Sequence, residues 1–407
     1  YERSEAIDQI TVAQELERQT KLERIGGAAY LSHLISVVPT SLDIVHYAGI
    51  VSRLSVMRQL IAAGENITKI GLSSDPDVSA SLGKAEDILF RLRDAKSTLD
   101  FTHIKHILDK YFEVPPVPGS EGYEPLPRIM SGFHGFDDML GGLQRSDLII
   151  VAGRPSMGKT SFALNIARNA AVEQRACVAI FSLEMSRESL VQRLLSSEAN
   201  VNSRHIRLGL NTEEEERRLM EATGILSEAP IYIDDFPQMR ISEMRSKAKR
   251  LAYENSIDLI VVDYLQLVSG EGSSGRENRV QEISYISRSL KAMARELNVP
   301  VIAISQLSRA PEGRTSHIPQ LSDLRESGSI EQDADIVAFI YRDELYYRTE
   351  EEWLAAYPNK EYPREIADII ISKHRNGPTG QVKMRFRHSL TKFENLENIS
   401  QMGSNSL

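Results

Sequence analysis

The sequence predicts an α/β fold with a mostly parallel sheet over residues 128–407. An all-α N-terminal domain (1–98) and a linker helix with a Pro/Gly segment (99–127) precede it. Three observations carry this. Tyr47, Val51, Leu54, Met57 and Ile61 keep a 3.6-residue apolar period, the mark of a long helix. The stretch "PPVPGSEGYEPLP" cannot continue any helix. From Arg128 onward, short apolar runs alternate with amphipathic helical patterns, as they do when helices cover both faces of a parallel sheet.

Within the first region, Thr11 and Gln14 predict a capping box ahead of "VAQELERQTKLERIGG". No clustered His, Cys or paired carboxylates accompany these helices, so the region reads as an interaction or oligomerisation module rather than a catalytic one. Next, Ile104, Ile107, Leu108, Tyr111 and Phe112 form one apolar stripe. That helix either closes the N-terminal bundle or docks on a neighbouring subunit. The strands then follow as "DLIIVAG", "ACVAIFSLE", "PIYIDD", "IDLIVVDYL", "VPVIAISQ", "ADIVAFIYR" and "ADIIISKHR". In such sheets ligands bind beyond the carboxyl ends of the strands, so the residues just after each run are the ones to weigh.

Composition narrows the class. With 407 residues, 41% hydrophobic and 26% charged, the chain is a globular protein of two or three domains. No apolar run nears the roughly 20 residues that span a bilayer, so an integral membrane protein is not expected. The single cysteine, Cys177, lies in an apolar strand pattern; it precludes an internal disulfide framework and suits a cytoplasmic location. A formal net charge of −9 argues mildly against nucleic-acid binding, unless a few local cations line a channel. The chain begins with Tyr1 and lacks a signal-peptide pattern, which leads us to expect a missing natural start.

Residues 153–160, "GRPSMGKT", fit the phosphate-loop pattern G-x-x-x-x-G-K-[ST] between a strand and a helix. Backbone N–H groups from Gly153, Arg154, Pro155 (which lacks one), Ser156, Met157, Gly158 and the helix start at Ser161 surround the ATP phosphates in this arrangement. Lys159 reaches the β and γ oxygens, and Thr160 ligates Mg²⁺. Asp263 ends the buried run "IDLIVV", where a carboxylate has no packing purpose, and is the natural Mg²⁺ partner. Glu184 is the candidate for orienting and deprotonating the attacking water, with Asp234 or Asp235 as alternatives and a helix-dipole role as the bland reading. Gln306 is placed for a γ-phosphate sensor or for an ordinary buried amide.

In order, "SGFHGFDDMLGGLQRSDLIIVAGRPSMGKTSFALNIA", "FSLEMS", "LIVVDYLQL", "VIAISQLSR", "LSDLRESGSIEQDADIVAFIYRD" and "SKHRNGPTG" resemble the RecA-like motor motifs of the replicative DnaB-type helicases. "RIGGAAYLSHLISVVPT" is similar to that family's helical N-terminal domain. The resemblance implies an ATP-dependent DNA helicase working as a homohexameric ring on single-stranded DNA, with primase and a loader as partners. It gives Lys159, Thr160, Glu184, Asp263 and Gln306 the roles above, places Arg193 beside the nucleotide base, and assigns Arg325, Glu326 and Gly328 to a DNA-holding loop. Two departures stand out: His374 where the family usually carries Gln, and a long acidic, aromatic insert at 343–363. Because the stretch before the phosphate loop also resembles recombinase and clock-type ATPases, such an ATPase is the alternative enzyme, and an ATP-gated loader or scaffold the non-enzymatic one.

Lys373 and Arg375, two apart at a strand end, should point to one side. Alone they read as a solvated strand end. Hydrolysis needs positive charge near the γ-phosphate beyond one lysine, and these residues lie far along the chain from their own phosphate loop. With the resemblance, they are expected to be an arginine finger and its lysine companion acting on a neighbour's site.

Overall fold

A computed structural model of the chain describes residues 9–37, 44–73 and 128–396, apart from 271–278, 315, 325–327 and 348, together with scattered positions between 78 and 108. The chain divides into two compact units, Tyr1–Thr102 and His103–Leu407. The first is helical: α1 (Gln9–Arg18), α2 (Gly27–Val37) and the 29-residue α3 (Ile44–Leu72). Thr11 lies inside α1 and so cannot cap it; the helix already runs from Gln9, and the capping-box expectation fails. Tyr47, Val51, Leu54, Met57 and Ile61 do share α3, and all five are exposed. Of the expected linker stripe, Ile107, Tyr111 and Phe112 lie outside the described residues.

The second unit begins with α4 (His134–Leu140), whose approach is set by Asp137 accepting from the backbone N–H of Ser131 at 2.8 Å and Gly132 at 3.0 Å. Gly132 has φ +80°, and a Cβ there would stand 2.4 Å from Asn169 Nδ2, so a side chain is excluded twice over. The alternating core follows: β1 (Leu148–Gly153), α5 (Lys159–Glu173), β2 (Val178–Ser182), α6 (Arg187–Ala199), α7 (Ser203–Leu208), α8 (Glu213–Ser227), β3 (Ile231–Asp234), α9 (Ile241–Asn255), β4 (Leu259–Asp263), α10 (Arg279–Leu297), β5 (Val301–Gln306), α11 (Gly328–Asp333), β6 (Ile336–Tyr341) and α12 (Glu350–Ala356). Three strands close it: β7 (Ile366–His374), β8 (Gly380–Arg387) and β9 (Lys392–Asn395). Together they form a nine-stranded sheet ordered β3-β2-β4-β5-β1-β6-β7-β8-β9.

The seven expected strands are all present. Their apolar runs are continuous because both faces of the central strands are covered. In β1, Ile149 and Val151 enter one core with Phe162 of α5, while Leu148, Ile150 and Ala152 enter the other with Ile286 and Leu290 of α10. β3, β2, β4, β5, β1 and β6 run parallel, whereas β7, β8 and β9 are antiparallel additions. Hence the carboxyl end of β7 lies at the amino end of β6, with His374 opposite Ile336. The rule that functional residues follow each strand therefore holds for β1, β2, β4 and β5 and reverses for β7.

Phe162 is fully buried and sits amid Phe133, Phe136 and Phe393, with ring centroids 5.2 to 5.5 Å away. Replacing Phe162 with Ala should cost about 3–5 kcal/mol, read as a drop in the denaturation midpoint without a change in slope. An unchanged midpoint would mean that this aromatic cluster does not hold α5 to the sheet. The 343–363 insert packs on itself: Trp353 is buried, donates from Nε1 to Asp343 at 2.9 Å, and contacts the rings of Tyr357 and Tyr362. Thr349 caps α12 by accepting from the Glu352 backbone N–H.

Candidate active site

At the carboxyl end of β1 the chain turns through the phosphate loop into α5. Ser156 (φ +67°) and Gly158 (φ +100°) take left-handed conformations there. A Cβ on Gly158 would come within 3.1 Å of Phe386 and Phe393, so glycine lets the loop lie against β8 and β9. Above it opens a cavity of about 840 Å³, large enough for a nucleoside triphosphate, lined by Lys159, Thr160, Glu184, Arg193, Asp263 and Gln306 among others. Residues from four strand ends and two helices thus converge on one space, as expected where ligands bind beyond strand carboxyl ends.

Lys159 donates to the Arg154 carbonyl at 3.0 Å, and burial lowers its pKa to about 8. Asp263 and Glu184 oppose that shift, so the ammonium persists at neutral pH in wait for an anion. Arg154 is anchored away from the cavity, with Nη1 on the Leu307 carbonyl at 3.1 Å and Nε on Glu312 at 2.9 Å. Thr160 donates its hydroxyl to Asp263 Oδ2 at 2.8 Å. The other oxygen, Oδ1, is buried with no partner, and burial raises the Asp263 pKa, with Glu184 adding to it. A cation beside Thr160 and Asp263 relieves both conditions, so this pair fits Mg²⁺. No group of three His, Cys, Asp or Glu that could cage a metal exists among the described residues. Magnesium needs none, since it is held through one or two protein ligands plus phosphates.

Glu184 is set by the turn after β2. Ser182 faces Asp263 in the strand register, its hydroxyl donates to the Met185 carbonyl at 2.7 Å, and Leu183 N–H donates to the Asp263 carbonyl at 2.7 Å. The Glu184 carboxylate is left exposed in the cavity. Its competitors are elsewhere. Asp234 accepts from Lys247 at 2.9 Å and Asp235 from Arg187 at 2.5 Å, at edge strand β3 and outside the cavity. Geometry therefore favours Glu184. Gln306 pairs in register with Gly153, and a residue unweighed in the sequence, Gln266, braces it by accepting from the Gln306 N–H at 3.3 Å and donating to Ser305 Oγ at 2.9 Å.

Arg193 shares the cavity, its pKa lowered by burial. Arg204 and Arg207 line it too and were missed. Their three-residue spacing on α7 is a readable signal that the strand-end rule passed over. Lys373 and Arg375 are not brought to this cavity. They stand at the opposite edge of the sheet, level with the amino ends of β1 and β6. At about 3.3 Å per residue, the length of β1 separates them from the phosphate loop, farther than any side chain reaches. His374 turns instead toward the Pro378 carbonyl, 3.2 Å from its Nδ1. Gly328 opens α11, while Arg325 and Glu326 lie outside the described residues.

Residues 128–395 match the DnaB-like helicase C terminal domain, and residues 1–53 the DnaB-like helicase N terminal domain. "Replicative DNA helicase DnaB" of Geobacillus stearothermophilus is 47% identical over 397 residues, covering 97% of this chain and 84% of that protein. "Replicative DNA helicase DnaC" of Bacillus subtilis (strain 168) is 46% identical with the same coverage. Among solved structures, one titled "The Structure Of A DnaB-Like Replicative Helicase And Its Interactions With Primase" aligns at TM-score 0.66 and 32% identity over 97% of this chain and 89% of that one. A second solved structure, an isolated ATPase domain, aligns at TM-score 0.63 and 36% identity over 73% of this chain and all of that one. No helix among the described residues is long and apolar enough to cross a membrane. A nucleotide-sized cavity above a phosphate loop, a parallel core of matching topology and identity along nearly the whole length lead to one conclusion: the chain belongs to the DnaB-like replicative DNA helicases, ATP-dependent enzymes of DNA unwinding.

Proposed function

We propose that this helicase hydrolyses ATP at sites shared between the subunits of a homohexameric ring in the cytoplasm, and that each site takes its arginine finger from the neighbour. In this reading Lys159 and the loop amides hold the phosphates, Thr160 and Asp263 hold Mg²⁺, and Glu184 orients and deprotonates water. Gln306 senses the γ-phosphate and Arg193 stacks on the base. Lys373 and Arg375 of the adjacent subunit stabilise the charge that develops on the transferred phosphoryl group. Arg325, Glu326 and Gly328 grip the backbone of single-stranded DNA, which gives sequence-independent, salt-sensitive binding. Primase and a loader are its expected partners. The first of these is suggested by the solved relative whose title records primase interactions.

The observation that supports the shared site is the reversed direction of β7, which sets Lys373 and Arg375 at the sheet edge opposite their own cavity. A scaffold that binds nucleotide without cycling makes no use of exposed cations there. Mass measurement of the full-length protein with ATP and Mg²⁺ tests the ring, and a sixfold mass is expected. Turnover should rise when single-stranded DNA is added. A monomer under all nucleotide conditions, with turnover indifferent to DNA, would overturn the proposal.

A further inference from the structure

Lys373 and Arg375 do not hang free at their edge of the sheet. The segment between α11 and β6 receives both. Lys373 Nζ donates to the carbonyls of Glu331, Gln332 and Ala334, the last at 2.6 Å. The Arg375 backbone N–H donates to the Asp335 carbonyl at 2.9 Å, and its guanidinium Nη1 donates to Asp335 Oδ1 at 3.1 Å. That carboxylate is 3% exposed, whereas the Arg375 side chain is 56% exposed. A guanidinium has five N–H donors, and the Asp335 carboxylate takes one, leaving the rest to face outward.

Asp335 is itself fixed. Its Oδ2 accepts from the Leu148 backbone N–H at 2.8 Å and from Lys291 Nζ, which also donates to the Ser146 carbonyl at 2.8 Å. Oxygen Oδ2 thus belongs to the framework at the start of β1, and Oδ1 has Arg375 as its partner. A buried carboxylate locked by two groups of its own subunit, with its second oxygen on an outward-facing guanidinium, is a rigid mount. We propose that Asp335 is a positioning residue for hydrolysis in the adjacent subunit, holding Arg375 at the angle from which it meets the neighbour's γ-phosphate. The proposal rests on the reading that Arg375 acts across the subunit boundary.

The same carboxylate touches β1, whose far end is its own phosphate loop, so the test must separate two routes. Asp335→Asn in the full-length protein should lower kcat for ATP about 10- to 100-fold with little change in KM, since a small misaim of a charged group has that effect. Added to Arg375→Ala, it should lower turnover no further. Mixed rings then assign the route. Asp335→Asn subunits keep a working cavity, so mixing them with Glu184→Gln subunits, which keep a working finger, should restore turnover. Mixing Asp335→Asn with Arg375→Ala should not.

Restoration with Arg375→Ala instead, or by neither partner, would show that Asp335 serves its own β1 and would overturn the proposal, as would wild-type kcat in Asp335→Asn. The pairing of Arg375→Ala with Glu184→Gln is the control. If that pair fails to complement in verified mixed rings, the shared-site reading falls and the proposal with it; if it complements, the Asp335 result stands by itself. Should Asp335→Asn fold poorly, Asp335→Asn with Lys291→Gln removes the buried charge and its counter-charge together, and the same pattern is expected.

Discussion

Lys159→Ala lowers ATP turnover by at least about 10²-fold and abolishes strand displacement, because it removes the buried cation that meets the β and γ oxygens as charge shifts between them. The expectation follows from position. Lys159 lines the cavity, its ammonium rests on the Arg154 carbonyl at 3.0 Å, and burial has already brought its pKa down to about 8. A group so desolvated binds an anion strongly, because the anion returns the stabilisation that water no longer gives. Arg154 cannot substitute, being engaged by Glu312 and the Leu307 carbonyl. Steady-state hydrolysis with and without single-stranded DNA, beside binding of a fluorescent nucleotide, checks it. Hydrolysis within twofold of wild type would remove Lys159 from the site.

Much of this site is legible in the sequence, for a physical reason. In a parallel sheet buried on both faces, a charged or polar residue at the end of an apolar run has no packing role, so Asp263, Glu184 and Gln306 stand out against Val, Ile and Leu. The phosphate loop adds a pattern that only a few backbone conformations satisfy. What fails to show is direction. "ADIIISKHR" looks like the other strands, and nothing in a strand's own residues states whether its neighbour runs with it or against it. That depends on the connection, and the 343–363 insert before β7 leaves both open.

The antiparallel hairpin β8–β9 escapes notice for another reason. "QVKMRFR" alternates apolar and basic residues, a period of two that marks a sheet with one wet face, whereas the other strands announce themselves as continuous apolar runs. Its consequence reaches the site, since Phe386 and Phe393 are the rings that the phosphate-loop Gly158 lies against. Gln266 is invisible for a third reason: a polar residue in a short turn after β4 acquires its role from Gln306 and Ser305, some forty residues later.

Arg375→Ala should remove at least about 10³-fold of turnover while leaving nucleotide affinity nearly unchanged, because a finger acts on charge that exists only in the transition state. Its exposure of 56% makes the fold indifferent to the loss, apart from one hydrogen bond to Asp335. Glu184→Gln should be comparably inactive from the other side of the interface. Each variant lacks what the other keeps. At equal mixing, about a quarter of interfaces pair an intact cavity with an intact finger, so turnover should return to a sizeable fraction of wild type. If Arg375 worked within its own subunit, every subunit in such a ring would carry one lesion and none would turn over. Activity that stays absent at every ratio, in rings shown to be mixed, would place the finger in the same chain as its phosphate loop. That is the outcome which the opposite placement of β7's carboxyl end and the cavity argues against.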